Sequence, residues 1–141
     1  MLEINSNDFI YLTKGDTGVF TVKLTRGYEP NNEDKLRFYV RNARNLDNVV
    51  FALGETENGA GDIIPEGNFS DAGYITKVIE NNSWREGEWE IHIAPEATTG
   101  SAALSEMKRA KYVYDIKLIK NDSSVVTFVG GGADKLNFVV T

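Results

Sequence analysis

The sequence predicts an all-β protein, an immunoglobulin-like antiparallel β-sandwich that takes up residues 1–141 as a single domain. Three observations carry that expectation. Apolar and polar residues alternate through most of the chain, as they do when a sheet buries one face. Clusters rich in Gly, Asn, Asp and Ser interrupt the alternating runs at short intervals. Those intervals are too short for the crossover helices of βαβ units, which points to antiparallel strands in two packed layers.

Each strand follows from its own pattern. In "GVFTVKLT" the inward set is Phe20, Val22 and Leu24, with Thr21 and Lys23 facing water. "KLRFYVR" turns Leu36, Phe38 and Val40 inward and Lys35, Arg37, Tyr39 and Arg41 outward. "EWEIHI" buries Trp89, Ile91 and Ile93 and exposes Glu88, Glu90 and His92. In "KYVYDIKLIK" the inward residues are Tyr112, Tyr114, Ile116 and Leu118, with Asp115 and Lys117 on the other side. "KLNFVVT" offers Leu136, Phe138 and Val140. Four further runs, "FIYL" at 9–12, "VVFAL" at 49–53, "YITKVIE" at 74–80 and "SVVTFV" at 124–129, bring the expectation to about eight or nine strands.

Turns are expected at "TKGDTG" (13–18), "EPNNEDK" (29–35), "WREGEW" (84–89), "KNDSS" (120–124) and "GGGADK" (130–135), because their residues tolerate positive φ or bond their own backbone. Two longer connections break the rhythm. Residues 54–73 are glycine-rich, and residues 94–110 are expected to carry a short helix starting near Ser101 and including Glu106 and Met107. Binding is expected on these two loops before the strands.

Composition narrows the function. A 141-residue chain is long enough to bury one core. Fifteen Lys and Arg against 21 Asp and Glu leave a net charge of −6, which phosphate backbones repel, so nucleic acid is not an expected partner. The short basic group Lys108, Arg109 and Lys111 lacks a stacking aromatic platform and reads as a solvated turn. No apolar run approaches the roughly 20 residues of a spanning helix, so no membrane is expected. "MLEINSNDF" lacks the basic start and apolar stretch of a secretory signal, and the absence of cysteine agrees with a reducing compartment.

No catalytic, cofactor or metal set emerges. His92 is the one histidine and is expected to be solvated, without an acid to orient it. "NSND" (5–8) and "GAGD" (59–62) are fragments of calcium loops without the spaced ligands or the closing bidentate Glu. Glu88 and Glu90 share a strand face, a spacing commoner for solubility than for a glycosidase pair. "GGGAD" (130–134) lacks the Lys and following helix of a phosphate loop. Trp89 is in phase with the core, whereas Trp84, with Tyr39 and Tyr28, is a candidate ring platform for stacking on a glycan. Asp115 reads as a surface or inter-strand pairing group, with a Lys on a neighbouring strand as the expected partner.

The run "MKRAKYVYDIKLIKNDSSVVTFVGGGADKLNFVVT", together with "YLTKGDTGVFTVKLT" and "DKLRFYV", resembles the N-terminal domain of phage baseplate upper proteins and related phage or prophage tail domains. Tyr112, Tyr114, Asp115 and Ile116 match that family's Tyr-x-Tyr-Asp-Ile strand, Val126 and Thr127 its Val-Thr strand, Gly130 to Gly132 its glycine turn, and Val140 and Thr141 its last strand. Ala110 stands where the family has glycine. The chain ends at Thr141 without a trailing coiled coil, so a short protein or an attachment domain is expected rather than a whole fibre. The resemblance implies a structural tail or baseplate protein without catalysis or cofactor. It would be assembled in the host cytoplasm, carried in the virion, and bound to copies of itself or to neighbouring tail proteins. A carbohydrate-binding module using the ring platform is the alternative expectation.

Overall fold

The computed structural model of the chain describes residues 1–24, 27–57, 60–61, 64–67, 69–129 and 136–141. Its strands are β1 (Leu2–Ile4), β2 (Ile10–Leu12), β3 (Gly18–Lys23), β4 (Lys35–Asn42), β5 (Val49–Gly54), β6 (Thr56–Glu57), β7 (Ala60–Gly61), β8 (Gly73–Glu80), β9 (Ser83–Ile93), β10 (Lys111–Ile119), β11 (Val125–Val129) and β12 (Leu136–Val140). All nine runs read from the sequence are strands. The short β1, β6 and β7 were not expected, because two or three residues are too few to display an alternation.

The strands form an all-β sandwich. One layer is a 7-stranded sheet in the order β1-β2-β12-β10-β4-β5, with β11 also paired to β10; the other has 3 strands in the order β3-β9-β8. The β3-β9-β8 layer corresponds to the B-E-D sheet of the immunoglobulin-like arrangement, and β12-β10-β4-β5 to its G-F-C-C′ sheet. One pair departs from the expected antiparallel pattern. β2 runs parallel to β12, matching Phe138 to Ile10 and Val140 to Leu12. The chain's second and last strands are thereby joined.

Phe38 shows why the two layers cohere. It lies on the central strand β4, fully buried, opposite Leu53 on β5 and Ile116 on β10. Its ring meets Phe51 at 6.3 Å, Tyr114 at 5.4 Å and Phe138 at 6.2 Å within its own layer, and Phe20 of the facing layer at 5.7 Å. Tilted and edge-on aromatic pairs each add about 1 kcal/mol beyond the area they bury. From the facing sheet, Ile75, Trp89, Ile91 and Ile93 complete the core without measurable exposure.

The turn expected within 84–89 is not there. β9 runs unbroken from Ser83 to Ile93, and the chain reverses at Asn81 and Asn82, with φ of 52° and 63°. Two consecutive residues at positive φ are the geometry that joins twisted strands with a two-residue loop, and Asn accepts it at low cost. Gly87, which suggested the turn, instead has φ 84° within β9, where a Cβ would lie 2.5 Å from the Leu24 carbonyl oxygen. The turns at 13–16 and 120–124 are as expected, closed by Asp16 N to Thr13 O and by Lys120 N to Ser124 O. The turn at 130–135 lies outside the described residues.

Both long connections differ from expectation. The helical turn α1 spans Glu96–Thr99, ahead of Ser101, and stops at Gly100 with φ 91°. Ala97, Thr98, Leu104 and Met107 from this segment are buried, so it plugs one end of the sandwich. Thr98 Oγ1 accepts from Gly15 N at 2.8 Å and Thr98 O accepts from Met107 N at 2.8 Å, which fastens the plug to the 13–16 turn. Of the glycine-rich connection, Ile64 and Phe69 fold back over the outer face of the larger sheet and pack with Tyr39, Val49 and Ala52. Tyr39, expected in solvent, is therefore only 1 % exposed.

Candidate functional site

The most deeply buried group of charged side chains among the described residues sits at the end of the sandwich away from α1, and sequence spacing gives no hint of it. Asp34, Glu55, Lys77 and Trp89 come from four separate elements. Glu55 follows β5 and forms an isolated parallel bridge with Ile75 of β8, which carries it from one layer to the other. Its Oε2 accepts hydrogen bonds from Trp89 Nε1 at 3.0 Å and Leu36 N at 3.2 Å, while Oε1 pairs with the Lys77 ammonium. Lys77 Nζ also donates to the Asp34 carbonyl at 2.7 Å and lies 5.3 Å from the centre of the Trp84 ring.

Asp34 is fully buried beside this pair. Its Oδ2 accepts from the Tyr28 hydroxyl at 2.7 Å and Asn31 N at 3.2 Å, and its Oδ1 accepts from Asn121 N at 3.0 Å. One carboxylate thus ties the 28–34 loop to the 120–124 turn. Burial, and next the Asp34 carboxylate that its hydroxyl binds, hold the Tyr28 phenol well above its ordinary pKa. Among the described residues no buried side-chain nitrogen or oxygen lacks a hydrogen-bond partner. Glu55 and Lys77 are both paired and hydrogen-bonded, and the Asp34 carboxylate takes three hydrogen bonds, which is the condition for tolerating burial.

A second polar group lies on the outer face of the larger sheet. Asp115, expected on the surface and paired to a lysine, is 6 % exposed, and its Oδ1 takes Arg41 Nε of β4 at 2.8 Å; Lys117 Nζ is 3.9 Å from Oδ2. Arg41 also donates to Leu46 O at 3.2 Å and stacks over Tyr39, 4.9 Å from the ring centre. Lys117 approaches the same ring at 5.2 Å. The covering provided by Ile64 and Phe69 and the two cations beside the ring explain why this outward face is dry. Burial first, and then the nearby Glu66 carboxylate, push the Tyr39 phenol upward against the opposing influence of Arg37.

The remaining sequence candidates are dispersed. Trp84, Tyr39 and Tyr28 do not share a platform. Trp84 is half-buried, edge-on to Trp89 at 5.1 Å and donating Nε1 to Glu88 O at 2.9 Å. Tyr28 packs against Trp89 at 6.1 Å, and Tyr39 belongs to the outer-face cluster. His92, expected without an acid, has Glu90 Oε1 at 2.5 Å from Nε2 and stacks on the exposed Tyr74, with ring centres 4.5 Å apart. Glu88, expected in water, is 7 % exposed because Lys23 and Arg85 cover its carboxylate at 3.3 and 3.4 Å. Glu88 and Glu90 therefore serve different partners.

Of the "NSND" run, Asn5 spends its side-chain oxygen on Asn7 N and Phe9 N, at 2.9 and 3.0 Å, leaving it committed to a turn. "GAGD" falls only partly, and "GGGAD" not at all, within the described residues. Lys108, Arg109 and Lys111 are exposed. Tyr112 and Tyr114 are structural. The Tyr112 hydroxyl accepts from Lys108 N at 3.0 Å, and the Tyr114 hydroxyl donates to Asp8 O across the sheet end. Ile116 is core, and Thr127 is exposed on β11.

Apart from Met1 and Leu46, the exposed large apolar side chains among the described residues lie on strands. Val19 of β3, Tyr74 and Ile79 of β8, and Val125 and Val126 of β11 are each more than a third exposed. Among the described residues β3 and β11 are hydrogen-bonded on one side only, whereas β8 also meets Glu55 through the bridge at Ile75. No known family matches the chain, and no curated protein matches it in sequence.

Proposed function

We propose that this chain is a structural assembly module of a phage or prophage tail or baseplate, joined by strand edges and sheet faces to copies of itself or to neighbouring tail proteins. The observation that carries this reading is how the chain divides its side chains. Asp34, Glu55 and Asp115, the buried carboxylates other than Glu88 among the described residues, are saturated by Tyr28, Lys77, Trp89, Arg41 and backbone amides, which is scaffold chemistry. Val19 of β3 and Val125 and Val126 of β11 are left exposed instead on strands with an open side among the described residues, where backbone pairing and side-chain contact with another protein are both accessible. The resemblance of the Tyr-x-Tyr-Asp-Ile strand and of "YLTKGDTGVFTVKLT" to phage tail domains supports that role.

The test is to fractionate tail-bearing particles from the producing strain and label them with antibody to this chain. Gold at one fixed place on the tail, with the chain present in purified particles, supports the reading. Particles devoid of the chain while it accumulates elsewhere would refute it.

A further inference from the structure

Resting on the assembly reading, we infer that the free edge of β11 pairs antiparallel with the β11 edge of a second copy of this chain, joining two larger sheets about a two-fold axis. β11 is hydrogen-bonded to β10 alone among the described residues. In that pairing Val126 stands opposite Leu118, on the core side of the sheet, yet Val126 is 39 % exposed whereas Leu118 is fully buried. The facing three-stranded layer does not extend over this strand. Val125, on the opposite face, is 56 % exposed. An added strand would bring neighbours to both.

The chemistry of the edge favours a second copy. β11, "VVTFV", carries no charge and no proline, two of the devices that stop edges from pairing, and its bulge against β10 lies past Thr127, between it and Val129. In a chain of net charge −6, an uncharged strip is where two copies can approach without like charges meeting along the contact. The other edges are guarded. β3 ends in Lys23, β8 carries Lys77 and Glu80, and β1 has 3 residues. β5 packs against β8 and the Ser70–Ala72 turn.

A 5-residue strand has its centre at Thr127, so a two-fold pairing sets Thr127 opposite its own counterpart. Thr127 is exposed, so charge can be placed there without entering the core. An interface built from one strand pair falls below the roughly 1,200 Å² of stable complexes, so association should be weak in solution and become useful when copies are held together in a larger assembly.

Sedimentation velocity of the whole chain from about 10 μM to about 1 mM tests this, over the range where a weak dimer forms. The expected result is a dimer fraction that grows with concentration and is weakened at least tenfold by Thr127→Lys, with circular dichroism verifying the fold. An equimolar mixture of Thr127→Lys and Thr127→Glu should regain association, because opposite charges then face each other. Val19→Lys, on the β3 edge, should leave it unchanged. A wild-type monomer throughout, a dimer indifferent to Thr127→Lys, a mixture that stays monomeric, or a dimer lost on Val19→Lys would each overturn the inference. Self-association that survives Thr127→Lys would still support the assembly reading, which is refuted by experiments on tail particles such as the fractionation above.

Discussion

Removing the Glu55 carboxylate should be among the most damaging single changes in this chain. Glu55→Ala leaves three donors without their acceptor: the Lys77 ammonium, the Trp89 indole N–H and the Leu36 amide. The two charged side chains are only 9 % and 17 % exposed, so water can replace little of the lost pairing. Breaking a buried pair by deleting one partner costs about 3 to 5 kcal/mol. The unmet indole and amide fall within that figure, because groups in one network do not add independently. Against a total stability of about 5 to 15 kcal/mol for a domain, this is a large share.

The assay is urea unfolding followed by tryptophan fluorescence, with wild type, Glu55→Ala, Lys77→Met and the double variant forming a cycle. The double variant should lose markedly less than the sum of the two single variants, since it removes the stranded charge. A Glu55→Ala loss below about 1 kcal/mol would mean that the pair behaves as a solvated surface pair, and the buried-cluster reasoning would fail.

Other expectations follow from the same structure. Asp115→Ala should cost about 2 to 3 kcal/mol by the same unfolding assay, because Arg41 loses a largely buried partner. An unchanged midpoint would show the pair to be dispensable. Gly87→Ala should cost about 2 kcal/mol or more, combining a φ of 84° with a Cβ placed 2.5 Å from the Leu24 carbonyl oxygen. A neutral result would mean that β9 can shift there. Tyr28, Tyr39 and Tyr114 all have phenol pKa values raised by burial. Their neutral forms are favoured by the fold, so this contribution is fully present below the unfolded value of about 10 and is lost as pH rises beyond it. Absorbance titration should find these phenols resisting ionisation until the chain unfolds in alkali. Smooth titration of all the tyrosines near pH 10 in the folded protein would contradict the burial argument.

The fold was largely legible in the sequence, because alternation reports directly on which side of a sheet is covered. Phe38, Trp89, Ile91 and Leu118 lie where their patterns placed them. Alternation failed at Tyr39 and Asp115 because it assumes that the second face meets water, whereas Arg41 and Lys117 cover Asp115 and Ile64 and Phe69 return from a distant loop to cover Tyr39. No period within a strand encodes that return. The reversal at Asn81-Asn82 was overlooked in favour of the Gly87 signal, since a positive φ serves a turn and an irregular strand equally well. The Asp34–Glu55–Lys77–Trp89 cluster was illegible, because its members approach only once the two layers pack and have no common spacing along the chain.

Reconstitution tests the central claim most directly. Tail particles prepared from a strain lacking this chain should take up the purified protein to a fixed stoichiometry, measured by quantitative mass spectrometry of the washed particles. Particles that bind none of it and carry the same composition and infectivity with or without its gene would contradict the claim.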